Sequence, residues 1–330
     1  MTELSELDSF VFYQTPNSDE IFLLSGPWTK IDMNVNQPLN GFIISNSDKS
    51  AIYFLEGKGE VISIPYKVNL NTKSPSNNNL KKEQYLNKAQ VFIEACEKQI
   101  DKAILSRIKS NVVKEGNNPF NTYLQICKSY NHSFNYFFNI PNIGTWMGAT
   151  PEILIQGNEN KCKTVALAGS KSLKDVIWNK KELEEQQFVM NYIKDKLDNA
   201  KVTYGYNQSP ETITAGNIAH LKTTFNIETD KNPLELANIL HPTPAVCGLP
   251  QKEAQEFIKK NEGYDRSFYT GFLGTINTAS YNLFVNLRCM QIFKNENWLY
   301  IGGGITADSV PDKEWEETEL KAQTLLNILD

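Results

Sequence analysis

The chain has 330 residues, of which 40% are hydrophobic and 22% are charged, a balance typical of a globular protein. Its 33 basic and 38 acidic residues give a formal net charge of -5, which argues against a nucleic-acid-binding protein that relies on bulk positive charge. No run of 18 apolar residues occurs, and the N-terminus lacks the basic and apolar regions of a signal peptide. We therefore expect a cytoplasmic protein without a membrane span.

The cysteines and histidines exclude two further classes. The five cysteines are odd in number, widely spaced and never in a Cys-x-x-Cys pair, which predicts reduced thiols and neither a disulfide framework nor a zinc site. The three histidines, His132, His220 and His241, have no metal-ligand spacing. This argues against a zinc hydrolase or a histidine-based iron enzyme.

The N-terminal part, residues 1–68, is predicted to be rich in β-structure. Short apolar and aromatic runs at 10–13, 21–24, 41–44 and 52–55 alternate with Asn, Asp, Ser and Gly. Residues 69–80 are polar, Asn-rich and interrupted by a proline, which predicts a flexible linker. At this length, one large domain and two smaller ones are both possible.

Beyond the linker, helices and strands are mixed without a regular βαβ alternation. Periodicity predicts helices at about 82–99, 179–199, 233–240, 251–261 and 313–329. Strands are predicted at 102–108, 134–139, 153–156, 164–167, 271–277, 281–292 and 298–302. The segments 271–277 and 281–292 are separated by three residues and predict an antiparallel hairpin. The pattern favours an α+β protein with large antiparallel sheets.

Two of these helices each place a pair of glutamates, three residues apart, beside an apolar stripe. Glu182 and Glu185 form one pair, and Glu314 and Glu317 form the other. One interpretation is a solvated face with i, i+4 ion pairs such as Glu317–Lys321. The other is a site for a hard cation such as Mg²⁺, because clustered carboxylates repel one another unless a cation lies between them. Spacing alone does not show whether the two helices meet.

Four further segments carry a family resemblance. They are Asp101-Lys-Ala-Ile-Leu-Ser-Arg107, Gly148-Ala-Thr-Pro-Glu-Ile-Leu154, His241-Pro-Thr-Pro-Ala-Val-Cys-Gly-Leu-Pro250, and Gly302-Gly-Gly-Ile-Thr-Ala-Asp-Ser309 with the following Glu314-Trp-Glu-Glu-Thr-Glu-Leu-Lys321. In this order they resemble the chorismate-binding enzymes: isochorismate synthase, salicylate synthase, and the large subunits of anthranilate and aminodeoxychorismate synthase. The resemblance extends from about Lys82 to Asp330 and implies two stacked, mainly antiparallel sheets with outer helices.

The resemblance implies a catalytic role for each of these segments. Lys102 matches the family's lysine base, and Glu152 matches its general acid, which must be protonated when chorismate binds. Glu185 and Glu317 match the two principal magnesium ligands, and Glu182 and Glu314 match glutamates that contact the ion directly or through water. Lys321 is placed to balance the charge of this cluster.

Further positions match residues that contact the substrate. Arg288, on a predicted strand, matches the arginine that grips the enolpyruvyl carboxylate. The other matches are to close-approach glycines, a histidine near the C4 hydroxyl, an aromatic pocket residue and the small residue of the HPTPA motif: Gly169, Gly302, Gly304, His220, Tyr269 and Ala245.

Two alanines discriminate among the family's activities. Ala168 stands where aminodeoxychorismate synthases carry a lysine nucleophile, and alanine cannot form that covalent intermediate. Ala245 stands where the ammonia-using members carry threonine. Together they favour an isochorismate synthase, in which water attacks C2 of chorismate and the C4 hydroxyl leaves, for menaquinone or siderophore biosynthesis. The family resemblance further implies a Mg²⁺-dependent monomer with one domain over 1–330 and its catalytic core at 81–330.

Two alternatives stay open at this point. A salicylate synthase would go on to eliminate pyruvate, and a degenerate relative would bind chorismate without turnover. The sequence also departs from the family pattern at Gln186, where histidine is usual, and at Ser170-Lys171-Ser172, where an arginine-containing stretch is usual.

Overall fold

A computed structural model describes residues 2–35, 37–75, 79–114, 116–172, 176–215 and 218–329. The helices in these ranges are α1 (Lys82–Cys96), α2 (Pro119–Ser129), α3 (Lys180–Asn199), α4 (Pro233–Leu240), α5 (Gln251–Asn261) and α6 (Pro311–Leu329). The first strands are β1 (Thr2–Ser5), β2 (Phe10–Gln14), β3 (Phe22–Ser25), β4 (Trp28–Ile31), β5 (Gly41–Ser45), β6 (Ile52–Glu56), β7 (Glu60–Val61) and β8 (Tyr66–Asn69). The next are β9 (Lys102–Val112), β10 (Phe134–Ile140), β11 (Gly144–Thr150), β12 (Ile153–Asn158), β13 (Lys161–Ser172), β14 (Thr203–Tyr206), β15 (Glu211–Ala215) and β16 (Ile218–Glu228). The last are β17 (Gly248–Leu249), β18 (Phe272–Ile276), β19 (Tyr281–Val285), β20 (Cys289–Ile292) and β21 (Glu296–Ile305).

Two large antiparallel sheets make up most of the molecule. One has nine strands in the order β17-β9-β21-β20-β11-β10-β2-β3-β7. The other has ten, in the order β14-β16-β13-β12-β19-β18-β5-β6-β4 with β15 added on β16, while β1 and β8 form a small parallel pair. The predicted α+β class with mainly antiparallel sheets is confirmed.

The sheets are stacked face to face, with the helices outside them. Aromatic side chains from both sheets fill the space between them, as in the stacked rings of Phe134 and Phe284, whose centroids are 4.7 Å apart. Helices α2 and α6 pack on the outer face of the nine-stranded sheet, and α3 and α4 pack on the outer face of the ten-stranded one. Both sheets therefore bury both faces.

Periodicity predicts five of the six helices within one to three residues of their bounds, but α2 is missed. Its start is set by local chemistry, because Asn118 caps the helix by accepting a hydrogen bond from the Phe120 amide, and Pro119 occupies its first turn. Within α3, the apolar Leu183 is 46% exposed. Gln186 is fully buried instead, because it precedes Val189 and Ile193 at helical spacing.

The predicted strand 281–292 is in fact two strands in different sheets. The hairpin of β18 and β19 is confirmed in the ten-stranded sheet, but the chain crosses at 286–288 and enters the nine-stranded sheet as β20. Arg288, which was predicted to lie on a strand, is in this crossing with a φ of 48°. The buried Asn286 secures the crossing, since its side chain donates to the carbonyl of Phe268.

Residues 69–75 of the predicted linker are hydrogen-bonded to loops of the protein. The amides of Asn71 and Thr72 both donate to Glu6 Oε2 at 2.8 Å, and the Ser74 amide donates to Asn295. Residues 76–78 lie outside the described part of the chain, so the flexibility of this linker stays a prediction. Across the described ranges, no helix is long and apolar enough to cross a membrane.

His241 is a buried histidine that ends α4 without using its ring. Only 1% of it is exposed, neither ring nitrogen has a hydrogen-bond partner among the described residues, and the ring packs edge-on against Phe272. Burial, reinforced by the charge of Lys49, lowers the pKa of His241 to about 3. The imidazole is therefore neutral in the folded protein at any pH near neutrality.

His241→Gln should remove part of the pH dependence of stability. Because the unfolded chain binds a proton near pH 6.5 and the folded one only near pH 3, the histidine destabilises the fold progressively as the pH falls through that window. Between pH 7.5 and 5.5 the wild type should lose about 1 kcal/mol more of its unfolding free energy than the variant does. Urea titrations at the two pH values measure the difference. The matched control is His132→Gln at the exposed His132, which should leave it unchanged; equal slopes in all three proteins would contradict the prediction.

Candidate active site

The site forms where one strand of the nine-stranded sheet loses a neighbour. β20 pairs with residues 297–300 of β21 only, whereas β9 continues to pair with β21 as far as Ile305. Gly302 and Gly304 therefore lie on a stretch of β21 that is paired on one side by β9 and is open towards β20. Lys102, the first residue of β9, lies beside this stretch.

Lys102 is held between a glycine and a glutamate. Its ammonium donates to Glu185 Oε1 of α3 at 3.0 Å, and 19% of its side chain is exposed. A Cβ atom on Gly304 would lie 2.6 Å from Lys102 Cε, closer than real contacts allow. Gly304 thus makes room for the lysine, which gives a physical reason for a glycine at this position.

Glu152 precedes β12 and faces three cations. Burial raises the pKa of this carboxyl to about 7, against the opposing effects of the Thr243 hydroxyl, Arg288, Lys102 and Lys321. The predicted acid, the predicted base and two predicted substrate contacts therefore come together around one carboxyl group. About half of it is neutral at pH 7, as a proton donor at that pH requires.

Arg288 and His220 line another side of the same space. Burial lowers the pKa of Arg288, while Tyr130 and Glu152 oppose this shift. His220 Nδ1 lies 2.9 Å from the carbonyl of Gly169, and burial, with Arg288 acting in the same direction, lowers the pKa of His220. Gly169 has a φ of +66° and lies at an irregularity in the pairing of β13 with β16, where the chain bends towards α3.

Helix α6 brings its charged side chains over the glycines of β21. Lys321 Nζ donates to the carbonyl of Gly302 at 3.0 Å and pairs with Glu317 at 2.7 Å. A Cβ atom on Gly303 would lie 3.5 Å from Glu314 Oε2 and 3.7 Å from Glu317 Oε1. The i, i+4 pair Glu317–Lys321 expected from the sequence is therefore present, and it lies at the site rather than on a remote surface.

Tyr269, which is buried, and Ala245 complete the set of residues predicted to contact the substrate. A Cβ atom on Gly302 would lie 2.8 Å from the Tyr269 hydroxyl, so the ring forms a wall against this glycine. Ala245 is half-buried and lies two residues after Thr243, whose hydroxyl lowers the pKa of Glu152.

The four glutamates predicted to bind metal carry carboxylate oxygens, and each forms an ion pair or a hydrogen bond with another group of the protein. Glu185 is bonded to Lys102, and Glu317 to Lys321. Glu314 Oε1 accepts from the Ser309 hydroxyl at 2.8 Å, and Glu182 Oε2 accepts from the Asn179 amide at the start of α3. Within the described ranges, no three acidic, histidine or cysteine side chains are grouped as a metal site. Four carboxylates from two helices nevertheless offer the oxygen ligands that Mg²⁺ prefers.

The two departures from the family pattern lie on the α3 side of the site. Gln186 Nε2 donates to the carbonyl of Ala166 at 3.2 Å and to the Thr223 hydroxyl at 3.1 Å, so it ties α3 to β13 and β16. Lys171 pairs with Glu182 at 3.5 Å. The side chains of Ser170 and Ser172 lie outside the described part of the chain.

Sequence reasoning missed three neighbours of the site. Thr243 lies within the HPTPA motif, of which only Ala245 was predicted to contact the substrate. Of the three consecutive glycines, Gly302 and Gly304 were predicted to do so and Gly303 was not. Tyr130 ends α2, the helix that was missed, and no sequence signal connects it with Arg288.

Known proteins share sequence and fold with this chain. A family model described as "Chorismate binding enzyme" matches residues 60–330. Isochorismate synthase EntC of Escherichia coli (strain K12) is 29% identical over 245 residues, which are 70% of this chain and 62% of that protein. Isochorismate synthase DhbC of Bacillus subtilis (strain 168) is 31% identical over 200 residues, which are 56% of this chain and 50% of that protein. The chain thus spans about half to six tenths of the length of these curated relatives.

The fold is shared with solved structures over almost the whole chain. The menaquinone-specific isochorismate synthase MenF from Escherichia coli has a TM-score of 0.82 at 20% identity, with 98% of this chain and 89% of that one covered. Anthranilate synthase component I from Streptococcus pneumoniae TIGR4 has a TM-score of 0.71 at 15% identity, with 96% and 92% covered. The family match and the shared fold define a mixed α+β protein of the chorismate-binding class. The chain belongs to the chorismate-binding enzyme family.

Arg288→Met should raise the pKa of Glu152 above about 7, because the variant removes a positive charge that favours the carboxylate while it keeps most of the side-chain volume. A pH titration of the carboxyl band by infrared difference spectroscopy, with Glu152→Gln to assign the signal, measures the shift. Lys109→Met is the matched control, since Lys109 pairs with Glu319 on α6 and should leave the titration of Glu152 unchanged. A lower pKa in Arg288→Met would contradict the arrangement.

Proposed function

We propose that the protein is a Mg²⁺-dependent isochorismate synthase, which adds water at C2 of chorismate with loss of the C4 hydroxyl. The observation that carries the proposal is the buried carboxyl of Glu152, whose pKa is about 7 and which interacts electrostatically with Lys102. The reaction needs a base on one side of the ring and an acid on the other. Lys102 and Glu152 are the residues for which the sequence resemblance predicts these two roles.

Lys102 is proposed to take a proton from the attacking water. A lysine does this as a neutral amine, and the proton of the water then resides on its nitrogen. The bond to Glu185 fixes the position of the nitrogen at the end of β9. The removal of a proton and the addition of oxygen at C2 then occur at one defined place.

Glu152 is proposed to donate a proton to the departing C4 hydroxyl. The neutral form is the active one, so the fraction of competent enzyme declines as the pH rises through about 7. Burial of the carboxyl is what raises this pKa. His220, kept neutral by its lowered pKa, is proposed to contact the same hydroxyl.

The two carboxylates of chorismate need two positive partners. Arg288 is proposed to bind the enolpyruvyl carboxylate, because a guanidinium can form two parallel hydrogen bonds with it. Magnesium, held by Glu185 and Glu317 with Glu182 and Glu314 beside them, would neutralise the ring carboxylate and compete with the lysines for these glutamates. Gly302, Gly304, Gly169 and Tyr269 are proposed to shape the walls of the pocket.

The choice of water over ammonia is supported by two small residues. Ala168 precedes the bend at Gly169 and offers no nucleophile, and the methyl group of Ala245 cannot hydrogen-bond an amine. The product would feed the synthesis of menaquinone or of a siderophore, and similar proteins are named for both purposes, as in the menaquinone-specific and the 2,3-dihydroxybenzoate-specific isochorismate synthases. We propose a cytoplasmic monomer, a setting that suits the five free cysteines.

A product assay tests the proposal. Purified protein is incubated with chorismate, with and without Mg²⁺ and ammonium, and the products are separated by chromatography and identified by mass. Isochorismate that depends on Mg²⁺ and appears without pyruvate is expected. Salicylate with pyruvate, anthranilate formed only with ammonium, or chorismate binding without turnover would each replace the proposal with the corresponding alternative.

Gly304→Ala should lower kcat at least tenfold while the fold persists. The new methyl group takes the space of Lys102 Cε and displaces the ammonium, and small displacements of a catalytic group are costly. Gly205→Ala in β14 is the matched control, since its methyl group would meet nothing within 4 Å. Steady-state kinetics and thermal unfolding of both variants test the prediction, which fails if the two lose equal activity.

Glu317→Gln should raise the Mg²⁺ concentration needed for half-maximal activity by about tenfold or more, because the substitution removes a charged oxygen ligand. It also frees Lys321 from its 2.7 Å ion pair. Glu316→Gln, one residue away on the exposed side of α6, serves as the control. A magnesium titration that is the same in both variants and the wild type would remove Glu317 from the proposed metal site.

A further inference from the structure

A buried ion pair that has no part in the chemistry proposed above lies behind the site. Glu262 follows α5, and Arg266 comes four residues later. The exposed fraction is 3% for the Glu262 side chain and 8% for the Arg266 side chain. Arg266 donates from Nε to Glu262 Oε2 at 2.6 Å and from Nη2 to Glu262 Oε1 at 2.7 Å. This is a two-pronged arginine–carboxylate pair inside the protein.

The remaining polar atoms of the ion pair form hydrogen bonds with two separate parts of the polypeptide. Arg266 donates from Nη2 to the carbonyl of Ile104 on β9, and from Nη1 to the carbonyl of Val246, both at 2.8 Å. Glu262 Oε1 accepts from the amide of Ser106 at 2.8 Å and from its hydroxyl at 2.6 Å. With the longer contact from Nη1 to Thr270 Oγ1 at 3.5 Å, every N–H of the guanidinium has an acceptor.

Each of the two segments held by the pair also carries residues of the site. Ile104 is two residues from Lys102 on the same strand. Val246 follows Ala245 and is three residues from Thr243, whose hydroxyl lowers the pKa of Glu152. The turn that contains Arg266 also places Tyr269, whose amide donates to the Arg266 carbonyl at 2.9 Å. The pair therefore connects the strand of Lys102, the loop of Thr243 and the turn of Tyr269.

We infer that Glu262 and Arg266 are positioning residues, which fix the separation between Lys102 and the Thr243–Glu152 side of the pocket. The inference rests on the proposed function for its kinetic consequence, but its geometry stands on the hydrogen bonds alone. Two apolar side chains could fill the same volume without the desolvation of two charges. They could not hold two backbone carbonyls and a backbone amide in one fixed relation, and a reaction that joins a base to an acid depends on that relation.

Two conservative variants test the inference. Arg266→Lys keeps the charge and loses the fork, and Glu262→Gln keeps an acceptor for the Ser106 amide and loses the charge. Both should destabilise the protein, since a broken buried pair leaves an uncompensated group. Phe12→Leu, at a buried site in β2, is the control for loss of stability alone. All measurements are made at a temperature at which unfolding curves show each variant to be folded.

The expected result separates kcat from KM. In at least one of the folded pair variants, kcat for isochorismate formation should fall about tenfold or more, with KM changed less than about threefold. The Phe12→Leu control should keep kcat within about twofold. A kcat equal to that of the control in both pair variants would overturn the inference.

A second readout does not depend on turnover. Infrared titration of Glu152 should give a pKa shifted from about 7 in Arg266→Lys and Glu262→Gln, because Lys102 and Thr243 move relative to the carboxyl. The control should titrate as the wild type does. If the wild type makes no isochorismate, the proposed function fails and this titration still decides the inference: a wild-type pKa in both pair variants overturns it. If one variant does not fold, the other carries both readouts.

Discussion

The crossing of one chain segment between two sheets is the constraint on which the site depends. Val285 ends a strand of the ten-stranded sheet, and Cys289 begins a strand of the nine-stranded sheet only four positions later. The sheets must therefore approach closely at this point, and the backbone must turn sharply, as the φ of 48° at Arg288 shows. β20 also starts too late to cover the end of β21. The same crossing thus opens the gap in the sheet and places a guanidinium beside it.

Charge balance explains how so many ionisable groups can share this gap. Glu152 is surrounded by Arg288, Lys102 and Lys321, yet burial still raises its pKa, which means that desolvation outweighs three favourable charges. Two of these cations are themselves bonded to glutamates of the flanking helices. Acidic and basic side chains therefore alternate across the site from α3 through β9 to α6. A cation bound among them would change every ion pair in this series.

Much of the fold and of the site could be predicted, for reasons that are physical. The amphipathic periods of α3 and α6 and the alternating apolar runs predict helices and antiparallel strands, and short motifs predict most residues around Glu152. The sequence could not reveal that Arg288 lies in a crossing, because a run of apolar residues looks the same whether it continues in one sheet or passes to another. Nor could it reveal α2, which is defined by its cap at Asn118, or the orientation of Glu319, which binds Arg107 and Lys109. These features depend on contacts between residues far apart in the chain.

The double attachment of Glu182 affects how related sequences should be compared. Its carboxylate closes the first turn of α3 by accepting from the Asn179 amide, and it also pairs with Lys171. A helix that begins in this way gains from a glutamate at this position whatever chemistry takes place nearby. Glu185, by contrast, points at Lys102 and does nothing for the helix end. In a relative that had lost its activity, selection for folding would still retain the first glutamate and release the second. Glu185, and not its neighbour one turn earlier, is therefore the position to inspect when working members of such a family are separated from inactive ones.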